Sequence, residues 1–244
     1  MKQSLFKIVS NRPLNKSTCE IVLAGDASDI RVSGQFVNIR LAGKYLRRPL
    51  SVCDYDEEAL TLIYKIAGSG TEQLSYMSSD EYLDVLTGLG NGFNTLKSGS
   101  KPLLIGGGVG VSPLYRLCKD LLREGKEVSV VLGFNSEEEA FYINEFKALG
   151  ADVAVATLDG SLGKKGFVID ALPEEYSYFF CCGPEPMLKA VYRAAKTSGQ
   201  FSFDERMGCG FGACMGCTCK TVTGYKRICK DGPVLEKEEL LWEN

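Results

Sequence analysis

Short runs of alternating or β-branched apolar residues dominate the first part of the chain. Clusters of Gly, Asp, Ser and Asn separate these runs and are typical of turns. The runs are LFKIVS (5–10), CEIVLAG (19–25), QFVNIRLA (35–42), LTLIYKIAG (60–68) and YLDVLTG (82–88). Their short length and alternation favour strands over helices. Several strands at this spacing predict a closed antiparallel β-barrel, or else a sandwich.

The pattern of apolar residues changes after a predicted linker, SGSKP, at residues 98–102. A buried strand at 103–105 leads into a glycine-rich turn, and a helix with leucines at helical spacing follows it until Gly125. Further strands are predicted at 127–132, 152–159 and 176–183, and a further helix from Pro186. Strands that alternate with helices indicate an α/β domain with a parallel sheet.

From about residue 201 the chain becomes rich in cysteine and glycine, with too few apolar residues for a core of its own. We expect this segment to fold around whatever its cysteines bind. The fold class is therefore a β-barrel followed by a parallel-sheet α/β domain and a small C-terminal cysteine-rich domain. The predicted domain bounds are 1–98, 99–200 and 201–244.

Composition narrows the possible chemistry. The formal net charge of −3 gives no electrostatic signal for nucleic acid or an anionic membrane. Neither an apolar stretch long enough to span a bilayer nor a signal-peptide pattern is visible, so we expect a cytoplasmic protein. The histidine count is zero. This excludes histidine-activated nucleophiles, histidine-ligated zinc or haem, and Rieske clusters.

The sequence contains ten cysteines, and five of them cluster near the C-terminus. The other five lie in apolar surroundings and are expected to be small core residues: Cys19, Cys53, Cys118, Cys181 and Cys182. A disulfide framework is not expected, because the cytosol keeps thiols reduced.

The clustered cysteines have the spacing of a plant-type [2Fe-2S] site. Cys209-x4-Cys214-x2-Cys217 is followed after eleven residues by Cys229, which matches C-x4-C-x2-C…C. Interspersed glycines suit a loop that bends around a cluster and directs N–H groups at sulfur. A four-cysteine zinc site and a metal-free loop are the alternatives, but zinc sites typically pair two short knuckles. Cys219 is surplus to four ligands.

Three other stretches suggest nucleotide chemistry. The turn GGGVGVSP (106–113) lies between a buried strand and a helix, where glycines let the backbone approach a pyrophosphate. Val111 takes the last glycine position of G-x-G-x-x-G, so the standard dinucleotide fingerprint is absent. RRPLS (47–51) and the GSGT turn (68–71) are candidates for a phosphate and ring clamp. Taken alone, the glycine turn is also compatible with a ligand-free bend, and the two barrel stretches with a surface strand and a turn.

RPLS, the Gly-Thr turn, GGGVGVSP and CGP (182–184), in this order, resemble the ferredoxin–NADP reductase superfamily. With the cysteine motif and ICKDGPV (228–234), the chain most resembles one subgroup, the electron-transfer subunits of NAD-linked class B dihydroorotate dehydrogenases. The resemblance covers nearly the whole chain, and the cysteine spacing is its most specific part.

The resemblance implies a role for each motif. FAD would be contacted by Arg48, Pro49, Leu50, Ser51, Ile63, Tyr64, Lys65, Gly70 and Thr71. The nicotinamide nucleotide would be lined by Gly106, Gly107, Gly108, Val109, Gly110, Ser112, Pro113, Cys182, Gly183 and Pro184. The [2Fe-2S] ligands would be Cys209, Cys214, Cys217 and Cys229, with Cys219 as a bystander.

The chemistry of the cofactors supports this set independently. NAD accepts a hydride, a cluster passes one electron at a time, and a flavin does both. A chain with nucleotide and cluster sites therefore needs a flavin between them. For the nucleotide we expect NAD, because Glu137–Glu139 follow the second sheet strand and would repel a 2′-phosphate.

The resemblance also implies a partner. Dihydroorotate oxidation would take place on an FMN-bearing catalytic subunit, in a heterotetramer with two copies of each chain. Electrons would pass from that FMN through the cluster and FAD to NAD+, and the barrel and cluster segment would present an apolar surface to the partner. The alternatives are a subunit of a ferredoxin–NAD(P) oxidoreductase, a sulfide dehydrogenase or a hydrogenase diaphorase, and, in another class, a non-catalytic redox sensor.

Overall fold

Six antiparallel strands form a closed barrel in the computed structural model, which describes residues 1–242. Their order around the barrel is β1-β2-β5-β4-β3-β6. The strands are β1 (Lys2–Pro13), β2 (Thr18–Ala24), β3 (Phe36–Arg40), β4 (Arg48–Tyr55), β5 (Ala59–Lys65) and β6 (Tyr82–Leu89). Alternate residues, such as Val37 and Ile39 of β3, fill the interior. This confirms the predicted barrel and adds β4, which no alternating apolar run predicts because it begins with Arg48-Pro49.

A seven-stranded sheet follows the barrel, in the order β10-β9-β8-β7-β11-β12-β15. Its strands are β7 (Pro102–Gly107), β8 (Ser129–Phe134), β9 (Asp152–Thr157), β10 (Lys164–Lys165), β11 (Tyr178–Cys182), β12 (Gly199–Ser202) and β15 (Val234–Glu236). All neighbouring pairs are parallel except β12 and β15, which are antiparallel. The predicted α/β domain is confirmed.

Helices cover both faces of this sheet. Leu104 and Phe180 belong to the apolar cluster that contains the buried leucines of α2 (Ser112–Arg123) and Phe146 of α3 (Ile143–Ala148). The neighbouring residues Leu103 and Phe179 belong to a second cluster, with Leu188 and Val191 of α4 (Glu185–Ala194). Because successive strand residues point to opposite faces, a run of apolar residues can serve both clusters.

The cysteine-rich segment is an excursion from the sheet. Between β12 and β15 it contains a hairpin, β13 (Thr218–Thr221) and β14 (Gly224–Arg227), and a single turn of helix, α5 (Ile228–Asp231). The barrel carries one short helix, α1 (Ser69–Ser75). None of the helices described within residues 1–242 is long and apolar enough to cross a membrane.

Two sequence expectations need adjustment. The strand predicted at 127–132 is found at Ser129–Phe134, because Gly125 ends α2 and the following residues form the connection. The domain boundary predicted at residue 201 falls within β12, and β15 returns to the same sheet, so the cysteine-rich segment also contributes an edge strand. Such a long-range strand pairing leaves no local pattern in the sequence.

Candidate cofactor sites

The structure brings the glycine turn (106–113) and the CGP segment (182–184) together where the central strands β7 and β11 end. Gly106, the second-last residue of β7, lies opposite Cys182 at the end of the neighbouring parallel strand β11. A Cβ added to Gly110 would lie 2.5 Å from the Cys182 carbonyl oxygen and 2.7 Å from the Gly183 Cα. The glycine turn therefore packs backbone to backbone against the CGP segment. Ligands bind at this carboxyl edge in open α/β sheets.

The turn itself depends on glycine at two further positions. Gly108 has a φ of +52°, a left-handed conformation that glycine adopts without steric cost. A Cβ on Gly107 would lie 2.3 Å from Met187 Sδ and 3.3 Å from Pro184 Cδ, so the turn also rests on the start of α4. Val109 is partly exposed at this edge, and Pro113 follows buried Ser112 at the start of α2.

Acidic residues follow β8, as the sequence indicates. Asn135 donates a hydrogen bond to Glu139 Oε2 at 2.8 Å, and the Lys16 ammonium lies 2.9 Å from Glu138 Oε2. The hydrogen bond from Lys16 lowers the pKa of Glu138. Lys16 offsets part of the negative charge, but three carboxylates in a row still disfavour a ribose phosphate here.

The predicted flavin residues Arg48 and Gly70 meet although they lie on separate elements. A Cβ on Gly70 would be 2.2 Å from Arg48 Nε, so the guanidinium lies across the start of α1. Thr71 Oγ1 accepts hydrogen bonds from the Ala67 and Gly68 amides at 3.0 and 3.3 Å and orders the turn before α1. A guanidinium beside a glycine-shaped recess suits a diphosphate group. These residues therefore fit the phosphate part of FAD.

The next strand residues split between two faces of the barrel wall. Pro49 and Ser51 pair with Asn38 and Phe36 on β3, and all four lie on the outer face, away from the barrel core. Leu50 packs towards the barrel core instead. A flat ring placed against β4 would therefore meet Pro49 and Ser51 by their side chains and Leu50 by its backbone.

The β5 residues offer mainly backbone to a ligand. The Tyr64 side chain is buried inside the barrel at 1% exposure, and its hydroxyl donates to Asn11 Oδ1 at 2.9 Å. Ile63 faces the opposite way and packs among residues of the α/β domain, while Lys65 is exposed. Only the main chain of Tyr64 is thus free to contact a cofactor outside the barrel.

The four candidate cluster ligands form two pairs. The thiols of Cys209 and Cys214 interact with each other, as do those of Cys217 and Cys229. Cys209 also influences the pKa of Cys229, so the two pairs are neighbours. Two thiols for each of two irons is the ligand arrangement of a [2Fe-2S] cluster, whereas a zinc site directs four ligands at one ion.

Backbone amides point at the sulfur atoms. The amides of Ala213, Phe211 and Cys214 lie 3.2, 3.5 and 3.5 Å from Cys209 Sγ. Burial raises the pKa of the Cys209 thiol, but these hydrogen bonds outweigh it and lower the pKa to about 6. The Gly216 amide lies 3.5 Å from Cys214 Sγ, and the Cys229 amide 3.4 Å from Cys217 Sγ. Such N–H groups stabilise the thiolates that ligate iron.

Burial differs within the cysteine set. Cys217 and Cys229 are buried, and burial, followed by the hydrogen bond with Cys217, raises the pKa of Cys229 to about 12. Cys214 is exposed, so one end of the site reaches the surface. Cys219 lies on β13 opposite Lys226, and burial raises its pKa. Cys219 belongs to neither pair, although Cys217 also affects its pKa, and its role as a bystander stays a prediction.

The loop geometry explains the glycines between the cysteines. Gly210 and Gly212 have φ values of +81° and +88°, which other residues rarely adopt. Arg227 donates to the Gly212 carbonyl at 3.0 Å and pairs with Asp231 at 2.9 Å, which ties the loop to α5. Sequence reasoning missed Arg227, because a single arginine in a polar stretch carries no signal.

Asn38 was also missed. Its side-chain amide donates to the Cys209 carbonyl at 3.2 Å, and it is buried between the barrel and the cysteine loop. An asparagine within an alternating strand gives no sequence cue of such a contact. Its partner is distant in the chain.

The comparisons with known proteins match this geometry. The family model described as the iron-sulfur cluster binding domain of dihydroorotate dehydrogenase B matches residues 204–241. The oxidoreductase NAD-binding domain model matches residues 104–193. Among solved structures, the chain superposes on one from an NADH-dependent reduced ferredoxin-NADP oxidoreductase with a TM-score of 0.89 and 30% identity, covering 98% of this chain and 90% of that one. A ferredoxin NADP+ reductase from Neisseria gonorrhoeae with bound FAD and NADP shares the fold, with a TM-score of 0.68, 16% identity and coverage of 80% and 90%.

Curated relatives match over nearly their whole length. The electron transfer subunit of dihydroorotate dehydrogenase B (NAD(+)) from Geobacillus sp. (strain WCH70) is 42% identical over 99% of both chains. The protein of the same name from Bacillus pumilus (strain SAFR-032) is 41% identical over 98% of both. Identity at this level across all three parts of the fold leaves one assignment: the chain belongs to the family of dihydroorotate dehydrogenase B (NAD(+)) electron transfer subunits.

Proposed function

We propose that this chain passes electrons from the FMN of a catalytic partner through its own [2Fe-2S] cluster and FAD to NAD+, during pyrimidine synthesis. The observation that carries the proposal is the paired set of Cys209, Cys214, Cys217 and Cys229, held on an excursion from the nucleotide-binding sheet. A relative that is 42% identical over 99% of both chains is named as the electron transfer subunit of dihydroorotate dehydrogenase B (NAD(+)), and the model of that family's iron-sulfur cluster binding domain matches residues 204–241 of this chain.

The arrangement of the three sites supports this order of cofactors. The outer face of β4, where Pro49 and Ser51 lie, adjoins β3, and Asn38 of β3 contacts the loop at Cys209. Flavin and cluster would thus share one wall of the barrel. FAD supplies the exchange between single electrons and a hydride, while the protein supplies binding and orientation. We assign FAD to the barrel, at residues 1–98, NAD to the parallel-sheet domain that begins at residue 99, and the cluster to the excursion between β12 and β15.

The surface near the cluster suits a protein partner. Phe211 and Met215 flank Cys214 and are 45% and 54% exposed. Large apolar side chains exposed beside a redox centre indicate a docking surface. We propose that the FMN-bearing subunit, which oxidises dihydroorotate, covers this surface in a heterotetramer with two copies of each chain.

A ferredoxin–NAD(P) oxidoreductase subunit is the second candidate. It is favoured by the TM-score of 0.89 with the NADH-dependent reduced ferredoxin-NADP oxidoreductase chain. The identity of 30% with that chain is below the 42% with the dihydroorotate dehydrogenase relative, so we rank it second.

Purification of the tagged chain from its native cells, with its partners, separates the two candidates. We expect an FMN-containing partner and dihydroorotate-dependent reduction of NAD+, faster than reduction of NADP+. A partner that carries several further iron–sulfur clusters, with no activity on dihydroorotate, would instead establish the second candidate.

A further inference from the structure

Asn38 stands where the predicted flavin site and the cysteine loop adjoin. It lies on β3 directly opposite Pro49 of β4, and residues in such a pair share a face of the sheet. The flanking residues Val37 and Ile39 point into the barrel core, so Asn38 points outward with Pro49. Its side chain is nevertheless buried, at 1% exposure.

One end of the Asn38 amide holds the cysteine loop. Nδ2 lies 3.2 Å from the carbonyl oxygen of Cys209, and a Cβ on Gly210 would lie 2.3 Å from the same nitrogen. A carbonyl oxygen can only accept, so the nitrogen must face Cys209 and the orientation of the amide is fixed. Asn38 therefore packs against the turn that follows the first cluster cysteine, where glycine leaves it room.

The other end of the amide has no protein partner. Within residues 1–242, Asn38 Oδ1 is one of two fully buried side-chain oxygens without a hydrogen bond, and the other is Ser112 Oγ. Buried acceptors are costly when they stay unpaired, so such an atom points to a donor that binds there. Asn38 lies on the outer face of the barrel wall, beside Pro49 and next to the pair of Phe36 and Ser51.

The chemistry of the cofactors decides which one supplies that donor. The sulfides and thiolates of a [2Fe-2S] cluster accept hydrogen bonds and have none to donate. FAD carries donors in its ring imide N–H and its ribityl hydroxyls. We propose that Asn38 is a positioning residue that accepts a hydrogen bond from FAD through Oδ1 while it donates to the Cys209 carbonyl through Nδ2. This inference rests on the proposed function, since it requires FAD and the cluster in the same chain.

Asn38→Ala tests this contact, with Asn91→Ala as the matched control. Asn91 also joins the barrel to the C-terminal segment, but both ends of its amide are paired with Val234, at 2.8 and 3.1 Å. FAD binding is measured by fluorescence titration of the flavin-free protein, and the loop by the EPR spectrum of the reduced cluster. We expect Asn38→Ala to weaken FAD binding about two- to tenfold, the value of one hydrogen bond, and to shift the EPR spectrum. Asn91→Ala should change neither.

Two results would overturn the proposal. One is wild-type affinity for FAD in Asn38→Ala, which would mean that FAD does not donate a hydrogen bond to Asn38 Oδ1. The other is an equal loss in both variants, which would make Asn38 a purely structural joint. Asn38→Ser, with a hydroxyl too short for either contact, carries the same expectation if the alanine variant does not fold. Dihydroorotate-dependent NAD+ reduction by the unmodified complex tests the proposed function separately. Failure of the proposed function can therefore be told apart from failure of the proposed contact between Asn38 and FAD.

Discussion

Replacement of Gly110 by alanine is expected to open the nucleotide site. The new methyl group would lie 2.5 Å from the Cys182 carbonyl oxygen and 2.6 Å from its carbon. Real Cβ atoms are essentially never closer than 3.0 Å to such neighbours, so the gap must widen by at least about half an ångström. Because the neighbours are backbone atoms, no side-chain rotation relieves the contact. The glycine turn must move away from the end of β11.

This movement is expected to make the free energy of NADH binding less favourable. Overpacking of this kind costs about 1–3 kcal/mol. If the free protein relaxes by separating the two segments, bound NADH must draw them together again. Its dissociation constant should then rise about five- to 160-fold. Stopped-flow reduction of the flavin at increasing NADH concentrations, without oxygen, measures both the apparent dissociation constant and the limiting rate.

Gly125→Ala is the control for this experiment. Gly125 ends α2 with a φ of +75°, and a Cβ there would meet no atom within 4 Å. The substitution should cost about 1–2 kcal/mol of stability through backbone strain and leave NADH binding unchanged. Wild-type affinity for NADH in Gly110→Ala, with full FAD content, would refute the assignment of this edge to the nucleotide.

Three further predictions concern the cluster and the choice of nucleotide. Cys217→Ser should damage the EPR spectrum of the reduced cluster and Cys219→Ser should not; the reverse result would contradict the ligand assignment. In cluster-free protein, Cys209 should react with iodoacetamide as a thiolate above pH about 6 and lose reactivity below it, because its pKa is lowered to about 6. A pH series read by mass spectrometry checks this, and a midpoint at the ordinary cysteine value would count against it. Ser136→Arg combined with Glu137→Ser should shift the ratio of the KM values for NADH and NADPH towards NADPH by about tenfold or more, in steady-state assays with both nucleotides. An unchanged ratio would show that the acidic stretch does not select NAD.

The sequence is most informative where the chemistry is local. Cys209, Cys214 and Cys217 lie in one loop, and a cluster constrains their spacing whatever the rest of the fold does. The glycine turn at 106–110 is recognisable for a similar reason, since a strand, a turn and a helix follow one another directly. Barrel strands with clean alternation were found in the same way.

Features that depend on distant partners could not be predicted. Asn38 has a role only because β3 lies beside the cysteine loop, and nothing within the strand indicates this. The short strand β15 pairs with β12 across the whole cysteine-rich excursion. Tyr64, in contrast, was predicted as a site residue, but the structure turns its side chain away from the site. The resemblance marks the residue for FAD, but the barrel closure places its side chain inside.

The attachments of the cysteine-rich excursion explain why it needs no core of its own. It leaves the sheet at Phe203, whose amide donates to the Pro233 carbonyl at 2.9 Å. This hydrogen bond joins the first and last residues of the excursion to each other. Asn91 holds the returning strand to the barrel, and Asn38 holds the first cysteine to the flavin wall. The position of the cluster is thereby fixed by both neighbouring parts of the fold. Since electron transfer slows as the distance between cofactors grows, the contact of Asn38 with the Cys209 carbonyl belongs to the redox site, whereas the contact of Asn91 with Val234 serves to attach the returning strand.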